Sequence, residues 1–371
     1  MIVDLIAGAR PNFMKVAPII RALDVRRRGG GALDYRLVHT GQHYDRKMSG
    51  DFFEQLGIPE PHVNLEAGSG TQAEQTGTIM SRYEKLLVAA PSKICVVVGD
   101  VNSTMACAIT ARKLGIPVAH VEAGIRSGDW SMPEEINRVV TDSITNYFFT
   151  TSEHANRNLR SQGVDESRIF FVGNTMIDTL LANLDRLREP SVWQDRGLRP
   201  GGYVVLTLHR PGNVDDARAF AGLVQAVCDA VRGLDVVFPV HPRTAKTLAG
   251  IPRRPDNLVT IEPQPYLEFN YLVRNCKCVI TDSGGITEET TVMGIPCMTL
   301  RTSTERPETV EEGTNELLGT DETAIRPAMD RLFAGGWKAG RRPALWDGRA
   351  GDRIVAALES ILSATWRFGP C

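Results

Sequence analysis

Three carboxylic acids follow or adjoin neighbouring strands in the first half of the chain. The stretch VVVGDVNSTMACAITARKLGIPVAHVEAGIRS (96–127) is typical of strand, turn, helix and strand, and Asp100 and Glu122 stand where the two strands end. Glu134 follows in the segment SMPEEINR. Because the carboxyl ends of parallel strands meet at one edge of a sheet, we expect these acids to lie close together. Carboxylates at such an edge could take a proton from a substrate and return one.

A turn containing two glycines in the second half of the chain could hold an anion. The stretch TDSGGITEET (281–290) follows an apolar run, so Ser283, Gly284 and Gly285 would stand at the start of a helix. Free backbone N–H groups and the positive end of the helix dipole favour a phosphate there. Glu289, one helical turn after Gly285, could accept hydrogen bonds from a ribose diol.

Basic side chains and histidines stand at further strand ends. Arg10 and Lys15 follow the first apolar strand, and we expect Lys15 in the first turn of a helix, where its charge opposes the helix dipole. His209 and His241 each follow a strand in the second half. Two histidines at the ligand-binding edge of one sheet favour a site there.

Two arrays of alternating strands and helices would position these residues. Short runs rich in Val and Ile separate stretches with helical periodicity, which is typical of buried parallel strands joined by right-handed crossovers. We predict strands at 1–7, 35–40, 93–98, 117–122, 168–173, 203–209, 235–241, 258–263, 278–282 and 296–300. The sequence therefore predicts an α/β fold with two Rossmann-like doubly wound domains. A ligand would lie in the cleft between them if their carboxyl edges face each other.

A polar loop marks the boundary between the two arrays. The segment REPSVWQDRGLRPGG (188–202) is rich in Pro, Gly and charge, which is typical of a loop early in a second domain, near a boundary around residues 173–190. We place the first domain, which carries the acids, at residues 1–172 and the second at residues 173–351.

Composition and charge argue against several classes of function. The 371 residues carry a net charge of −2, so no basic field favours nucleic acid or an anionic membrane surface. No apolar run approaches the roughly 18 residues that span a bilayer, and MIVDLIAGARPN lacks the features of a signal peptide. Seven cysteines without a framework spacing indicate reduced thiols. We therefore expect a cytoplasmic protein without nucleic-acid or membrane partners.

Neither a metal nor a cofactor is expected. Cys276 and Cys278 would point their thiols the same way if both lay in one strand, but no second Cys or His pair stands nearby to complete a zinc site. We predict buried structural thiols. The chain has no GxGxxG and no Walker sequence, which argues against NAD and ATP.

Ten motifs follow one another along nearly the whole chain. They are GARPNFMKVAPI, HTGQHYD, GSGTQAEQTG, VVGDVNST, HVEAGIRS, MPEEINR, VGNTMIDTL, TLHRPGN, TDSGGITEE and RTSTERPETVEEGTN. Together, in this order and spacing, they resemble the motifs of the non-hydrolysing UDP-N-acetylglucosamine 2-epimerase family, which has the GT-B glycosyltransferase-like fold. The resemblance implies a homodimeric cytosolic enzyme that inverts C2 of a UDP-2-acetamido sugar. Its product would feed surface polysaccharide or glycan synthesis.

The resemblance also assigns roles to residues. Asp100, Glu122 and Glu134 match the catalytic acids of the family, and Lys15 and His209 match further catalytic positions. Residues 173–351 would bind UDP, and a C-terminal helix within 352–371 would pack back on the first domain. The positions that match substrate-binding residues, with Phe269 in the uracil region QPYLEFNYL, are Arg10, Arg138, His241, Phe269, Ser283, Gly284, Gly285 and Glu289.

Three acids suit the reaction that the resemblance implies. C2 of an N-acetylhexosamine has no adjacent carbonyl, so its proton is not acidic enough for simple enolisation. If UDP leaves C1 while the C2 proton is removed, a 2-acetamidoglucal forms, and readdition of UDP with protonation from the other face gives the epimer. One acid must take the proton on one face and another must deliver it on the opposite face.

Two departures from the family motifs leave the sugar and the regulation open. Many members have HRREN where this chain has HRPGN (209–213), and the stretch YDRKMSGDFF (44–53) also differs. Activation by substrate at a second site near these segments is therefore not expected. The alternatives are a 2-epimerase of a UDP-2,3-diacetamido-2,3-dideoxy uronic acid, a GT-B glycosyltransferase, a hydrolysing epimerase and a nucleotide-sugar sensor.

Overall fold

The computed structural model describes residues 1–41, 55–251 and 253–367, and the chain divides into two units. The first unit comprises Met1–Ala182 and Ala344–Cys371, and the second comprises Asn183–Pro343. The chain therefore crosses between the units at 182/183 and 343/344, whereas the sequence places the crossings at 172/173 and 351/352. The divergent stretch YDRKMSGDFF (44–53) lies outside the described residues.

Contacts inside the first unit account for the different crossings. The Thr179 hydroxyl donates to the Met14 carbonyl at 2.6 Å, which ties the helix Thr175–Asn183 to the first unit. Beyond the second crossing, the buried Trp346 indole donates to the Thr151 carbonyl at 3.0 Å. The helix Ala350–Arg367 packs against the helix Arg10–Arg28 of the same unit.

The first unit contains a parallel seven-stranded sheet with the order β3-β2-β1-β4-β5-β6-β7. Its strands are β1 Ile2–Ala7, β2 Asp34–His39, β3 Val63–Asn64, β4 Ile94–Val98, β5 Val118–Val121, β6 Tyr147–Thr150 and β7 Ile169–Phe171. Every residue of β4 and β5 is buried, as their Val-rich sequences predict. Because Val98 pairs with Val121, the residues that follow these two strands leave the sheet at the same edge.

The second unit contains a parallel six-stranded sheet with the order β10-β9-β8-β11-β12-β13. Its strands are β8 Tyr203–Thr207, β9 Asp235–Pro239, β10 Leu258–Ile261, β11 Cys278–Thr281, β12 Cys297–Thr299 and β13 Asn315–Leu317. Both sheets contain the strand order of dinucleotide-binding doubly wound folds. Thr207 pairs with Thr281, so β8 and β11 end side by side.

Helices connect the strands in both units. In the first unit they are Arg10–Arg28, Gln72–Ala89, Asn102–Lys113, Pro133–Ile144, Glu153–Ser161, Thr175–Asn183 and Ala350–Arg367. In the second they are Ser191–Asp195, Pro211–Val214, Ala217–Ala230, Pro242–Ala249, Tyr266–Asn275, Gly284–Met293, Pro307–Glu311 and Ile325–Phe333. Short 3₁₀ turns lie at Glu166–Arg168, Leu184–Arg186 and Glu322–Ala324. None of the helices in the described ranges is long and apolar enough to cross a membrane.

The ten predicted strands are confirmed, and each of their ends agrees within two residues. Strands β3, β6 and β13 were not predicted; they contain two to four residues each. Runs this short carry too little periodicity to mark a strand. Cys276 and Cys278 are buried, as predicted. Their thiols do not point the same way, because only Cys278 lies in β11 and the two side chains pack in different hydrophobic clusters.

Candidate active site

Asp100 lies at the carboxyl end of β4 and is held by Arg138. The Asp100 Oδ2 atom accepts hydrogen bonds from Arg138 Nε at 3.0 Å and Nη2 at 2.5 Å. The Arg138 side chain is 7% exposed and the Asp100 side chain is 29% exposed, so Asp100 is the more accessible partner. Arg138 comes from the helix Pro133–Ile144. The predicted catalytic acid and the predicted binding residue are therefore direct partners.

Glu122 lies at the end of β5 and pairs with Lys15. The Lys15 ammonium is 2.7 Å from Glu122 Oε2, and the two side chains are 13% and 3% exposed. Glu122 has a φ of 68°, an uncommon left-handed conformation for a residue with a side chain. The expectation that Lys15 lies in the first helical turn is wrong, because the helix begins at Arg10 and Lys15 falls in its second turn. Its position is explained by the contact with Glu122.

Glu134 lies in the first turn of the helix Pro133–Ile144 and is half-buried. Its carboxylate makes no hydrogen bond or ion pair with the residues that the structure describes. The neighbouring Glu135 is buried and fully engaged: it accepts from the backbone of Ser127 and from Arg138 Nη1, both within 2.9 Å. Burial alone would raise the pKa of Glu135, but these donors lower it below its usual value. Glu134 is thus the acid of this pair available to a ligand.

The turn after β1 is fixed by Asn12. Its side-chain oxygen accepts from the backbone N–H groups of Gly8 and Ala9 at 3.3 and 2.9 Å, and its amide donates to the Val98 carbonyl at 3.0 Å. These bonds join the ends of β1 and β4. Arg10 begins the helix Arg10–Arg28 in this turn. The side chain of Arg10 lies outside the described part of the chain.

In the second unit, His209 pairs with Asp282. His209 Nδ1 is 2.8 Å from Asp282 Oδ1, and the backbone N–H groups of His209 and Arg210 also donate to the Asp282 carboxylate. Burial opposes ionisation of Asp282, but the hydrogen bond and the charge of His209 lower the pKa of Asp282 below its usual value. The His209 side chain is 46% exposed. Asp282 therefore orients the His209 ring, which is accessible to a ligand.

The predicted anion-binding turn starts the helix Gly284–Met293. Ser283 is the N-cap residue, yet its side chain makes no capping hydrogen bond. Neither Gly284 nor Gly285 has a positive φ, so the backbone conformation does not require glycine at these positions. A Cβ atom added to Gly285 would meet nothing within 4 Å. This uncapped helix end offers N–H donors to an anion on an unobstructed side.

A buried ion pair adjoins the anion-binding turn. Arg301 donates from both terminal nitrogens to Glu305, at 2.8 and 2.7 Å, and both side chains are 6% exposed. A Cβ atom on Gly284 would lie 3.6 Å from Glu305 Oε2 and 3.9 Å from Arg301 Nη1. The pair therefore forms one wall of the turn.

Glu289 is buried in the helix Gly284–Met293 rather than solvated on its surface. Burial raises its pKa from the ordinary 4.5 to about 7, and the charge of Glu288 acts in the same direction. The polar side chains of Tyr266 and Asn270 beside Glu289 act in the opposite direction on its pKa. Phe269, one turn along the helix Tyr266–Asn275, is half-buried against the core. His241 lies two residues beyond β9 and is exposed.

Sequence reasoning missed the residues that hold the site residues in place. Asp282, Asn12 and Glu135 each make several hydrogen bonds at a strand end or a helix start. The sequence could have indicated Asp282 as a site residue, since it follows an apolar strand beside the predicted anion turn. It could not have indicated the Arg301–Glu305 pair, because a charged pair four residues apart also fits an exposed surface. Among the residues that the structure describes, no group of three or more His, Cys, Asp or Glu could hold a metal ion.

The fold and the two groups of site residues define a class of protein, an α/β protein of GT-B type. Its acids lie at the carboxyl edge of one parallel sheet, and an uncapped helix end lies at the carboxyl edge of the other sheet. The model of the family described as UDP-N-acetylglucosamine 2-epimerase matches residues 26–359. The chain belongs to this family.

Individual relatives agree with this assignment. The UDP-N-acetylglucosamine 2-epimerase of Methanocaldococcus jannaschii is 40% identical over 368 residues, which cover 96% of this chain and 99% of that protein. The crystal structure of the M. jannaschii enzyme in complex with UDP-GlcNAc and UDP has a TM-score of 0.85 and 40% identity, with 97% of this chain and 100% of that chain covered. The UDP-2,3-diacetamido-2,3-dideoxy-D-glucuronate 2-epimerase of Pseudomonas aeruginosa is 37% identical over 323 residues, 86% of this chain and 89% of that protein.

Proposed function

We propose that the chain inverts C2 of UDP-N-acetylglucosamine to give UDP-N-acetylmannosamine, and that it does so by elimination and readdition of UDP. The observation that carries the proposal is the arrangement of three acids at one sheet edge, two of them paired with cations: Asp100 with Arg138 and Glu122 with Lys15. The 40% identity with the M. jannaschii enzyme over 368 residues supports the same substrate.

In the first half of the proposed reaction, a carboxylate takes the C2 proton while the bond between C1 and the diphosphate oxygen breaks. The electron pair of the C2–H bond forms the C1=C2 double bond, and UDP leaves with the electrons of the C–O bond. The product is 2-acetamidoglucal. In the second half UDP adds back to C1 and another acid delivers a proton to the opposite face of C2. No external oxidant or reductant is required.

We assign the proton transfers to the first unit. Asp100, Glu122 and Glu134 are the candidate acids and bases, and Glu134 is the one whose carboxylate is not engaged by described residues. Lys15 would stay beside Glu122 throughout the reaction and, together with Arg10, would stabilise charge on the departing diphosphate.

We assign nucleotide binding to the second unit. The first helical turn at Ser283, Gly284 and Gly285 would donate backbone N–H groups to the diphosphate. Glu289 would accept from the ribose hydroxyls, and Phe269 would lie near the uracil. His209, oriented by Asp282 at 2.8 Å, would donate to the diphosphate, and His241 would contribute to the same edge.

We also propose a homodimer and a cytoplasmic location. Trp130 and Ile136 are 65% and 44% exposed, and both come from the segment around Glu134. Trp side chains are enriched in protein interfaces. The cysteines in the described ranges are free and buried, which is consistent with a reducing compartment.

Incubation of the purified protein with UDP-N-acetylglucosamine alone tests the proposed function. An NMR time course should show UDP-N-acetylmannosamine accumulating until the two sugars reach a constant ratio, without stoichiometric release of UDP. Release of one UDP per free sugar would indicate a hydrolysing epimerase, and turnover only with an added acceptor would indicate a glycosyltransferase. Faster turnover of the UDP-2,3-diacetamido uronate than of UDP-N-acetylglucosamine would assign the substrate of the P. aeruginosa relative.

A further inference from the structure

A buried carboxylate, Asp142, lies behind the acids of the first unit. It belongs to the helix Pro133–Ile144 and its side chain is 1% exposed. It has three donors: His120 Nδ1 at 2.7 Å, the Gly124 backbone N–H at 3.0 Å and Arg126 Nη1 at 2.7 Å. Burial alone would raise the pKa of Asp142, but the charges and hydrogen bonds of His120 and Arg126 lower it. Asp142 is therefore an ionised and fully engaged group.

Asp142 holds the chain on both sides of Glu122. One carboxylate oxygen contacts His120, two residues before Glu122, and the other contacts Gly124, two residues after it. Between these points Glu122 adopts its left-handed conformation, which costs a residue with a side chain about 1–2 kcal/mol. The Glu122 N–H also donates to the Phe149 carbonyl at 3.0 Å. Asp142 thus helps to fix the conformation in which Glu122 meets Lys15.

His120 connects Asp142 to Gly99, the residue that follows the neighbouring strand β4. The ring is fully buried, and its Nε2 atom is 2.8 Å from the Gly99 carbonyl oxygen. A carbonyl oxygen only accepts hydrogen bonds, and an ionised carboxylate also only accepts. His120 thus bridges two oxygen atoms, with Nδ1 facing the Asp142 carboxylate and Nε2 facing the Gly99 carbonyl.

The contact with Gly99 lies on the peptide that precedes Asp100. Gly99 has a φ of 69°, a conformation that favours glycine, and its carbonyl oxygen meets His120 Nε2. On the other side of Asp100, its own carbonyl accepts from Asn137 Nδ2 at 2.9 Å. The peptides before and after Asp100 are thereby anchored to the same helix, Pro133–Ile144, that supplies Asp142, Arg138 and Glu134.

We propose that Asp142 is a positioning residue of the proton-transfer site, which fixes Glu122 directly and Asp100 through His120. This inference rests on the proposed function, because it assigns Asp142 to the acids of that reaction. Asp142 does not contact the substrate. It acts by holding two carboxylates at the ends of adjacent strands, where an error of about 1 Å in placing a reacting group costs about 10²-fold in rate.

A second buried carboxylate in the same unit provides a matched control. Asp4, in β1, is fully buried and also has three donated hydrogen bonds, from Arg36 Nε, Arg36 Nη2 and the Tyr83 hydroxyl, each at 2.8 Å. It lies in the amino-terminal half of its strand, away from the carboxyl edge. Removing the charge of Asp4 should therefore lower stability as much as removing that of Asp142, but should leave the acids in place.

The test compares Asp142→Asn with Asp4→Asn in full-length protein, at a temperature where circular dichroism shows both variants folded. We expect kcat with UDP-N-acetylglucosamine to fall by about 10²-fold in Asp142→Asn, while KM and the Kd of UDP change by less than about threefold. Asp4→Asn should keep kcat within about threefold of wild type despite a lower Tm. A folded Asp142→Asn variant with wild-type kcat, or an equal loss of kcat in Asp4→Asn, would overturn the inference.

His120→Asn provides a second test that does not depend on the folding of Asp142→Asn. Its amide can still donate to Asp142 but has no donor for the Gly99 carbonyl. We expect kcat to fall at least about tenfold with UDP affinity retained, and a kcat within about threefold of wild type would contradict the role of His120. A wild-type protein that does not epimerise the substrate would instead overturn the proposed function, and this inference with it.

Discussion

Replacing Gly285 by Val should separate nucleotide binding from stability. Gly285 is the second residue of the helix Gly284–Met293, and its φ is not positive, so its backbone conformation is open to other residues. A Cβ atom there meets no protein atom within 4 Å, so the larger side chain has room in the protein itself. The space that it would occupy is the space beside the uncapped helix end, where the diphosphate is proposed to bind.

The substitution should affect the free energy of unfolding and the affinity for UDP differently. Val is the better helix former by about 0.4 kcal/mol, so the free energy of unfolding without ligand should stay equal or rise slightly. The diphosphate, in contrast, would lose its approach to the N–H groups of the first turn. We expect the affinity for UDP to fall at least tenfold, which corresponds to about 1.4 kcal/mol.

Calorimetric titration with UDP measures the binding and urea denaturation measures the stability. Gly77→Val is the matched control, because Gly77 is an exposed residue of the helix Gln72–Ala89, has no positive φ and also has no atom within 4 Å of an added Cβ. It should change stability in the same direction and leave the Kd of UDP unchanged. An unchanged Kd in a folded Gly285→Val variant would refute the placement of the diphosphate.

Three further outcomes follow from the structure. Asp178→Ala should lower the free energy of unfolding by about 1–2 kcal/mol in urea denaturation, because the buried Asp178 accepts from the Gly351 N–H at 2.8 Å and caps the helix Ala350–Arg367. The control Asp347→Ala removes a partly exposed ion pair with Arg353 and should cost less than about 1 kcal/mol. Burial raises the pKa of Glu289 from 4.5 to about 7, so the folded chain retains a proton that the unfolded chain releases. The free energy of unfolding should therefore fall by up to about 3 kcal/mol as pH rises from 4.5 through 7. A Glu289→Gln variant that shows the same fall between about pH 5 and about pH 8 would contradict this. Glu134→Gln should lower kcat about 10²–10⁴-fold with little change in the Kd of UDP, and near-wild-type turnover would remove Glu134 from the proton transfers.

The sequence alone predicts the architecture well, because parallel strands that are buried on both faces are continuous apolar runs. The runs before Asp100 and Glu122 are such strands, and both are buried throughout. The parallel direction of the strands was accessible from the alternation of strands and helices. The end of the first unit depends on tertiary contacts such as Thr179 with Met14, which place the helix Thr175–Asn183 in that unit.

The identity of the acids was also predictable, whereas the way in which they are held was not. Asp100 and Glu122 follow apolar strands and can be recognised in the sequence. Their partners Arg138 and Lys15 lie 38 and 107 residues away along the chain. Such pairings depend on the order of the strands and on the direction of individual side chains. The left-handed conformation of Glu122 has no sequence signal either, since it is imposed by contacts on both sides rather than by a glycine.

The fate of the C2 proton distinguishes elimination and readdition from routes that keep the C2–H bond. We expect turnover of UDP-N-acetylglucosamine in D₂O to place deuterium at C2 of UDP-N-acetylmannosamine, because the proton passes through a carboxyl group that exchanges with solvent. Proton NMR of the product would show the C2 signal lost and the C1 signal simplified. A product that retains hydrogen at C2 during net conversion would contradict elimination and readdition through these acids.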